Sequence, residues 1–354
     1  MLTIGKGSLG GGVLEMLQAG ARDAWICVEP GSQKVKQLAA SWAGTGRTIG
    51  IYMKAPGAYD PNDDTRDSAV WSAAQPLLWG SFEESDQGWK LADIQNPDKA
   101  RRWADVVVIP RIQTFLDQAP NCYSLIMLDD TLMFPGNISP DEPDDFDPLL
   151  FQAGTLIVMQ RVQAKFPWAQ ILPNGYAGWN SEGARGLAHA EAMRALYFEQ
   201  FARKVNGDEF SEPSRLEQQI NDAWLLGAKG CLVVGHDYYD ATDYDLRLNT
   251  LVVYLLTQGA RTYLHLDPTA LGAKPAELEL GTMLGKPKFG PKRIGAFMFR
   301  RYTEGLVAMN VSGSSADLNV VWPYATLGGG GGAWSSAGGV QTLDHGAGVI
   351  MREP

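Results

Sequence analysis

The chain has 354 residues, of which 45% are hydrophobic and 20% charged, enough apolar matter for a sizeable core and unlike the composition of a disordered segment. Its formal net charge of -10 and sequence pI near 5.0 argue against a nucleic-acid or anionic-membrane partner, since either would reward a basic face. A neutral or cationic ligand suits it better, and the same charge also serves solubility.

Near the N-terminus, GKGSLGGG has the look of a glycine-rich nucleotide loop, but no strand pattern precedes it and neither a Walker lysine-serine nor a GxGxxG frame is met. From residue 24 onward, short β-rich runs alternate with longer helical patterns, the mark of βα units with a parallel sheet. The runs are AWICVE (24–29), TIGIYMKAP (48–56), KLADIQ (90–95), YSLIMLDD (123–130), AQILPNG (169–175), RALYFEQF (194–201), GCLVVGHD (230–237) and RTYLHLD (261–267). A doubly wound open sheet shows the same alternation, but a count of eight favours a (β/α)8 TIM barrel.

Amphipathic stretches such as PDKARRWADVVVIPRIQTFLDQA, DPLLFQAGTLIVMQRVQAKF and EPSRLEQQINDAWLLGA fit crossover helices between the runs. Asp147 before Pro148, and Ser211 ahead of Glu212 and Pro213, have the chemistry of helix starts; Gly227, Gly230 and Gly259 sit where helices should stop. Residues 57–89 break the rhythm and read as a long functional loop after the second strand. Beyond residue 290 the pattern turns to short alternating segments, so we expect residues 1–290 to form the barrel and residues 291–354 a small antiparallel β-sandwich-like domain. Its alternation turns Phe297, Phe299, Val307 and Val320 inward, and GGGGG at 328–332 is a loop within it.

Cys27, Cys122 and Cys231 lie in apolar surroundings and read as buried thiols rather than a disulfide framework. No apolar run approaches the roughly 18 residues of a membrane span. MLTIGKGSLGGG lacks the layout of a secretory signal, so the expectation is a soluble chain without an export address. A removed signal, or delivery as part of a larger extracellular particle, would leave the same trace.

In a barrel, catalytic groups project from the C-terminal ends of the strands. Acids stand there as Asp93 in the third run, Asp129 and Asp130 closing the fourth, Glu199 closing the sixth and Asp237 after the seventh. Two acids directly after the apolar YSLIMLDD strand are costly unless they open onto solvent or a polar site. One of them can serve merely to bond the following loop. Glu199 sits in an aromatic-rich run as a candidate general acid; its plainer reading is an exposed glutamate at a helix start.

Strands four and six are next-but-one neighbours about 10 Å apart. Their carboxyls could close to roughly 5–9 Å, which spans both retaining and inverting geometry. The loops around them carry Trp79, Trp89, Phe134, Tyr176, Trp179, Tyr238 and Tyr239, flat faces on which sugars stack. Asn174, Asn180, His236 and Asp237 could bond sugar hydroxyls, although for any single aromatic core packing is the plainer reading. His189, His236, His265 and His345 show no metal-ligand spacing, and no GxSxG elbow occurs, so neither a metal nor a cofactor is expected.

Taken together, these runs resemble uncharacterised glycoside-hydrolase-like TIM barrels allied to the endo-α-1,4-polygalactosaminidases. YSLIMLDD is similar to their "DGVFLDD" fourth strand and ALYFEQFAR to their "GAMFEQFA" sixth strand. LADIQNPDKARRW, ILPNGYAGW, ELGTMLG and FRRYTEGLVAMNVS follow in the family's order, over about residues 45–315. The resemblance implies a barrel glycosidase with Asp129 and Glu199 as its catalytic pair. Where the family carries glycine before "VFLDD", this chain has Ser124, and its N-terminal portion departs from the family pattern.

The expectation is therefore a hydrolase of a polysaccharide or oligosaccharide, one containing amino sugars suiting the acidic chain, with Asp129 as nucleophile or base and Glu199 as acid. Asp130 belongs to the same catalytic set, and Asp93, Asn174, Tyr176, Trp179, His236, Asp237, Tyr238 and Trp79 are candidate substrate-binding residues. The alternative is a non-catalytic carbohydrate-binding barrel, such as an adhesion component of a phage tail. An isomerase or aldolase barrel would want a Schiff-base lysine or metal ligands at strand ends, which these runs do not supply.

Overall fold

A computed structural model describes residues 2–10, 12–20, 22–28, 31–59, 67–83, 89–119, 122–131, 145–176, 186–199, 201, 213–236, 244–265, 283–320, 325–327 and 339–353. The chain divides into two compact units: Gly7–Gln18 with Ala24–Tyr197, and Met1–Lys6 with Ala19–Asp23 and Phe198–Pro354.

The opening strand β1 (Leu2–Gly7) lies almost wholly in the second unit. The first unit begins with α1 (Val13–Gln18), β2 (Ala24–Cys27), α2 (Gln33–Trp42) and β3 (Thr48–Lys54). After an insertion come α4 (Pro97–Trp103), α5 (Ile109–Gln118), β7 (Leu125–Asp129), α6 (Pro148–Lys165), β8 (Gln170–Pro173) and α7 (Leu187–Met193). Strands β2, β3, β7 and β8 are parallel neighbours in that order, with Ile26 opposite Gly50, Ile51 opposite Ile126 and Met127 opposite Leu172. Covered on both faces, such strands read as unbroken apolar runs, and every residue of β7 is buried.

The insertion holds β4 (Gly57–Tyr59), α3 (Trp71–Ala74), β5 (Leu78–Glu83) and β6 (Trp89–Ala92). Its strands form a separate antiparallel sheet in the order β4-β6-β5. This corrects the reading of KLADIQ as the third parallel strand and of residues 57–89 as one long loop. β3 pairs directly with β7, so the residues between β3 and α4 hang outside the parallel run and build their own sheet.

Helix starts follow their sequence signals. The Asn96 side chain accepts from the N–H groups of Asp98 at 2.8 Å and Lys99 at 3.3 Å, ahead of Pro97 in the first turn. Asp147 does the same for Leu149 at 2.8 Å and Leu150 at 3.1 Å. Between α4 and α5, residues Ala104–Val108 widen into a π-turn just before Pro110. A proline there has no N–H to give and its ring crowds the carbonyl four residues back, so the wider turn lets one continuous rod pass it. α6 lies so close to the segment after β6 that a Cβ on Gly154 would fall 1.8 Å from the Ile94 carbonyl oxygen, which only glycine permits.

Arg111 of α5 fastens this unit. Its guanidinium grips the Asp67 carboxylate in a two-pronged pair and donates to the carbonyls of Lys54 at 3.1 Å and Gly57 at 3.0 Å. Arg111 is 9% exposed and Asp67 3%, so the end of β3, the start of the insertion and α5 are held by one desolvated ion pair.

The strand β9 (Ala195–Glu199) begins in the first unit and ends in the second. The second unit continues with α8 (Pro213–Ala228), β10 (Leu232–His236), α9 (Tyr244–Thr257) and β11 (Thr262–His265). Here β1, β11, β10 and β9 are neighbours in that order, with Ile4 opposite His265 and His236 opposite His265 in parallel register. Seven of the expected runs are strands of the parallel arrangement, and the missing place is taken by β1. The dismissal of the N-terminus as strandless is thus also corrected. LTIGKG is short and its periodicity is cut off by the glycines that follow, which hid it.

The tail comprises β12 (Lys292–Ile294), β13 (Phe297–Arg301), β14 (Gly305–Asn310), β15 (Ala316–Val320), β16 (Ala325–Leu327), β17 (Gly339–Leu343) and β18 (Gly348–Arg352). They form an antiparallel sheet, β12-β13-β14-β18-β16, and a two-stranded ribbon, β15-β17. Phe297, Ala308, Leu318, Val320, Val349 and Met351 make one cluster, with Phe299 packed against it. Val307 is buried too, but it neighbours Ala308 on β14 and so turns to the opposite face, not inward with the phenylalanines. That face receives α9: a Cβ on Gly348 would meet Val252 at 2.7 Å, and the Arg300 guanidinium donates to the carbonyls of Leu255 and Leu256 at 3.1 and 3.0 Å. The GGGGG run lies outside the described residues.

Cys27 and Cys231 are buried free thiols, whereas Cys122 is only half-buried. Among the described residues no helix is long and apolar enough to cross a membrane.

The Arg111 pair yields a stability prediction. Arg111→Met keeps the bulk but strands a buried carboxylate, and should cost about 3–5 kcal/mol, whereas Arg111→Met with Asp67→Leu should recover most of it. Urea unfolding of the three proteins measures this; a single variant as stable as the parent would show the pair to be dispensable.

Candidate functional site

Polar side chains gather at the C-terminal ends of β3, β7 and β8, within the first unit. β7 ends in Asp129, opposite Lys54 of β3, while Asn174 follows β8. The Asp129 side chain is buried with the rest of its strand at 6% exposure, and a carboxylate placed there must be met by donors. Three converge on it. The Tyr52 hydroxyl donates to Oδ2, the Asn174 amide donates to Oδ1, and the backbone N–H of Asp130 donates to Oδ1 at 3.0 Å.

Tyr52 and Lys54 share one face of β3 because side chains alternate along a strand. Tyr52 stands opposite Met127, two residues before Asp129, so its ring runs along the sheet to deliver the hydroxyl. Asn174 is fixed in turn: its carbonyl accepts from the Thr131 N–H at 2.9 Å and hydroxyl at 2.7 Å, its N–H donates to the Leu128 carbonyl at 2.9 Å, and its Oδ1 accepts from the Gly175 N–H at 2.9 Å. Asn174 also bridges to Tyr197 of β9 in parallel register. The sequence offered it as a binder of sugar hydroxyls, and the structure gives its amide nitrogen to Asp129.

Asp130 takes a different part. Its φ of 57° lies in the left-handed region, which aspartate tolerates better than most residues but which still costs energy. The bend swings its side chain from Asp129's partners to Lys54, whose Nζ lies 3.0 Å from Asp130 Oδ2. Two adjacent acids therefore have separate partners, one in a set of neutral donors and one in an ion pair.

The second unit presents Glu199, Lys6, His236 and His265 at the ends of β9, β1, β10 and β11. Glu199 is half-buried where the four residues before it are fully buried. Beyond it, the Phe201 N–H donates to the His236 carbonyl at 2.9 Å. The Phe201 ring lies over Gly235, where a Cβ would come within 2.5 Å of it. That missing Cβ is what lets β9 and β10 run out side by side with Glu199 and His236 at their tips.

The imidazoles of His236 and His265 stack with ring centroids 3.9 Å apart. Burial, and secondarily the nearby Lys6 ammonium, pushes His236 down to about 3. Burial also holds His265 well below its ordinary value, followed by the charges of His236, Lys6 and Arg22. At neutral pH both are uncharged rings with one donor and one acceptor nitrogen each.

The remaining candidates are dispersed. Asp93 follows β6 of the antiparallel insertion and is paired with Lys99. Trp79 is 8% exposed, packed at 5.6 Å edge-on to Phe146 and at 6.3 Å on Phe151 of α6. Tyr176 is buried at 2% exposure. Trp179, Asp237 and Tyr238 lie outside the described residues, as do Phe134, Asn180 and Tyr239. Burial pushes the Cys27 thiol up to about 12, which keeps it protonated and chemically quiet.

Sequence reasoning missed Tyr52, Lys54, Lys6 and His265, and Lys54 at the end of β3 corrects the reading that no run supplies a lysine at a strand end. The signal was present: TIGIYMK, LTIGK and TYLH each end an apolar run on a polar group, as YSLIMLDD does.

No family model matches this chain, and no curated protein does. Solved structures do. The chain is similar to the glycoside hydrolase domain of PelA from Pseudomonas aeruginosa, with a TM-score of 0.50 and 13% identity over 77% of this chain and 96% of that one. It is similar to Eubacterium rectale Amy13B, with a TM-score of 0.54 and 9% identity over 99% and 95%. An α-amylase from Lactobacillus plantarum gives a TM-score of 0.52 and 12% identity over 99% and 98%. At such identities the likeness is one of fold, and the fold is glycoside-hydrolase-like.

Proposed function

We propose that this protein is a glycosidase acting on a polysaccharide, with Asp129 as nucleophile or general base and Glu199 as general acid, on a (β/α)8 barrel scaffold. The observation that carries this is the setting of Asp129: a carboxylate at the end of a fully buried parallel strand, faced by the donors of Tyr52, Asn174 and the Asp130 backbone. Held by donors, it is oriented to attack a sugar carbon or to take a proton from water, not to give a proton away. Glu199 supplies what the reaction lacks, a proton for the leaving glycosidic oxygen, from a half-buried strand end. The resemblance to barrels allied to the polygalactosaminidases, and the net charge of -10, favour an amino-sugar polymer as substrate.

Asn174 and Tyr52 act in this reading as positioning residues for Asp129. Asp130 and Lys54 brace the bend that carries the Asp130 N–H to Asp129. His236, neutral and beside the end of β9, is suited to bond a sugar hydroxyl without adding charge. Trp79 and Asp93 are taken up by Phe146, Phe151 and Lys99 and have no part in it.

Glu199→Gln and Asp129→Asn should each lower turnover at least about 100-fold while binding of the same glycan stays within a few-fold. The double variant should be little worse than either alone, because both groups serve one transition state. Product chromatography beside calorimetry, on a glycan the parent binds, reads both quantities. Binding by the parent with no product over about pH 4–8 would favour a carbohydrate-binding barrel over the enzyme.

The pH profile gives a separate check. A His236 value near 3 lies below any working range, so the imidazole stays neutral and cannot supply the acid limb of the rate profile. His236→Gln should lower the rate without moving either limb. A limb that vanishes in this variant would show that His236 titrates during turnover.

A further inference from the structure

The first unit carries a cleft that the catalytic reading does not use. It has a volume of about 640 Å³ and is lined by Gln113, Leu116 and Asp117 of α5, Lys165 and Phe166 at the end of α6, Tyr123 before β7 and Trp168 before β8. Tyr123 lies six positions ahead of Asp129, so the cleft opens at the N-terminal ends of the strands, about 20 Å from the Asp129 carboxylate. Its size is that of a ligand site, roughly 300–1,000 Å³.

What marks it is an indole held out in solvent on a rigid support. Trp168 is 50% exposed, whereas Phe166, two residues earlier, is buried at 3% and meets the indole edge-on at 6.1 Å. The turn between them is closed by the Ala169 N–H donating to the Phe166 carbonyl at 3.0 Å, with Pro167 in the bend. The Gln163 side chain braces it by donating to the carbonyls of Phe166 at 3.3 Å and Ala169 at 3.1 Å. The backbone that carries the ring is thus held in place, so less freedom is lost when something stacks on the indole.

Around the indole stand an amide, a carboxylate and an ammonium. Gln113 donates to Asp117 Oδ1 at 2.7 Å along α5, which orients both ends, and Lys165 is exposed on α6. A flat apolar face ringed by mixed hydrogen-bonding groups matches a pyranose, which offers C–H bonds on its faces and hydroxyls on its rim. One indole is too small a patch for a lipid surface, and Asp117 within a chain of net charge -10 opposes a nucleic acid.

We propose that this cleft is a second glycan-binding site, which seats a stretch of a polysaccharide remote from the catalytic carboxylates. The nature of the polymer rests on the glycosidase reading; the stacking surface does not. Such a site raises the local concentration of a long chain at the enzyme and does nothing for a short one.

The test is affinity electrophoresis of the full chain in native gels cast with soluble starch, dextran or partially de-N-acetylated chitin. At least one polymer should retard the parent. Trp168→Ala should weaken that retardation about tenfold, the worth of one lost aromatic stack. Gln113→Ala, on an exposed helix face, should weaken it about threefold and guards against misfolding of the first variant. Both variants should cleave a short oligosaccharide of the same sugar at the parental rate. Unaltered retardation of both variants, or no retardation of the parent by any of the polymers, overturns the proposal. Product release with no effect of Trp168→Ala removes the cleft and leaves the glycosidase reading standing. Retardation that depends on Trp168 without product does the reverse.

Discussion

A carboxylate placed at the end of a strand with no exposed residue is the constraint around which the first unit is arranged. Desolvating Asp129 costs several kcal/mol unless hydrogen bonds replace the lost water. Each of its donors comes from a different place: a tyrosine on the neighbouring strand β3, an asparagine after the other neighbour β8, and its own next backbone N–H. That requirement explains features that look unrelated. The left-handed Asp130 turns its side chain toward Lys54 while its N–H stays on Asp129. The Thr131 N–H and hydroxyl both go to the Asn174 carbonyl, which fixes the asparagine that supplies the amide. Arg111, through the Lys54 carbonyl, secures the strand end from which Lys54 and Tyr52 reach.

Much of this was legible in the sequence, and the reasons are specific. Parallel strands buried on both faces leave long apolar runs, so β2, β3, β7, β8, β10 and β11 could be read directly. Acids closing such runs stand out, which is how Asp129 and Glu199 were found. The same rule extends to lysine, tyrosine and histidine, and it points to Lys54, Tyr52 and His265 at the ends of β3 and β11. KLADIQ misled because a short apolar run has no mark of its partner's direction; whether it pairs parallel with β3 or antiparallel with β4 is a matter of tertiary context. Counting it in while missing β1 left the positions of β7 and β9 in the strand sequence unchanged, so Asp129 and Glu199 still close the fourth and sixth parallel strands.

The tail shows how burial on two sides defeats alternation. Strands β14 and β18 read as nearly continuous hydrophobic segments because one face meets the β15 and β17 ribbon and the other meets α9. Val307 therefore points away from Phe297 although both are buried. The sheet also completes the helix: Arg300 and Tyr302 supply donors to the Leu255 carbonyl, and Arg300 to that of Leu256, at the C-terminal turn of α9, where carbonyls have no partner within the helix. Burial lowers Arg300 from its usual value, yet an arginine so placed stays charged, and its cation faces the negative end of the helix.

Identities of 9–13% to glycosidases of similar fold leave nearly every core residue free to change, as packing tolerates any apolar set of the right volume. The strand ends have no such freedom, because a polar group there is either met by a partner or costs stability. This is why function has to be argued from the tips of β3, β7, β8, β9 and β10 and not from the scaffold. The Trp168 cleft follows the same logic in reverse. An indole left half in water is a standing cost to the folded chain of order 1 kcal/mol in unburied apolar surface. The Phe166 to Ala169 turn and the Gln163 brace keep it there instead of letting it fold back onto the core, and a chain that spends three hydrogen bonds on holding a ring out has the geometry of a surface made to be covered.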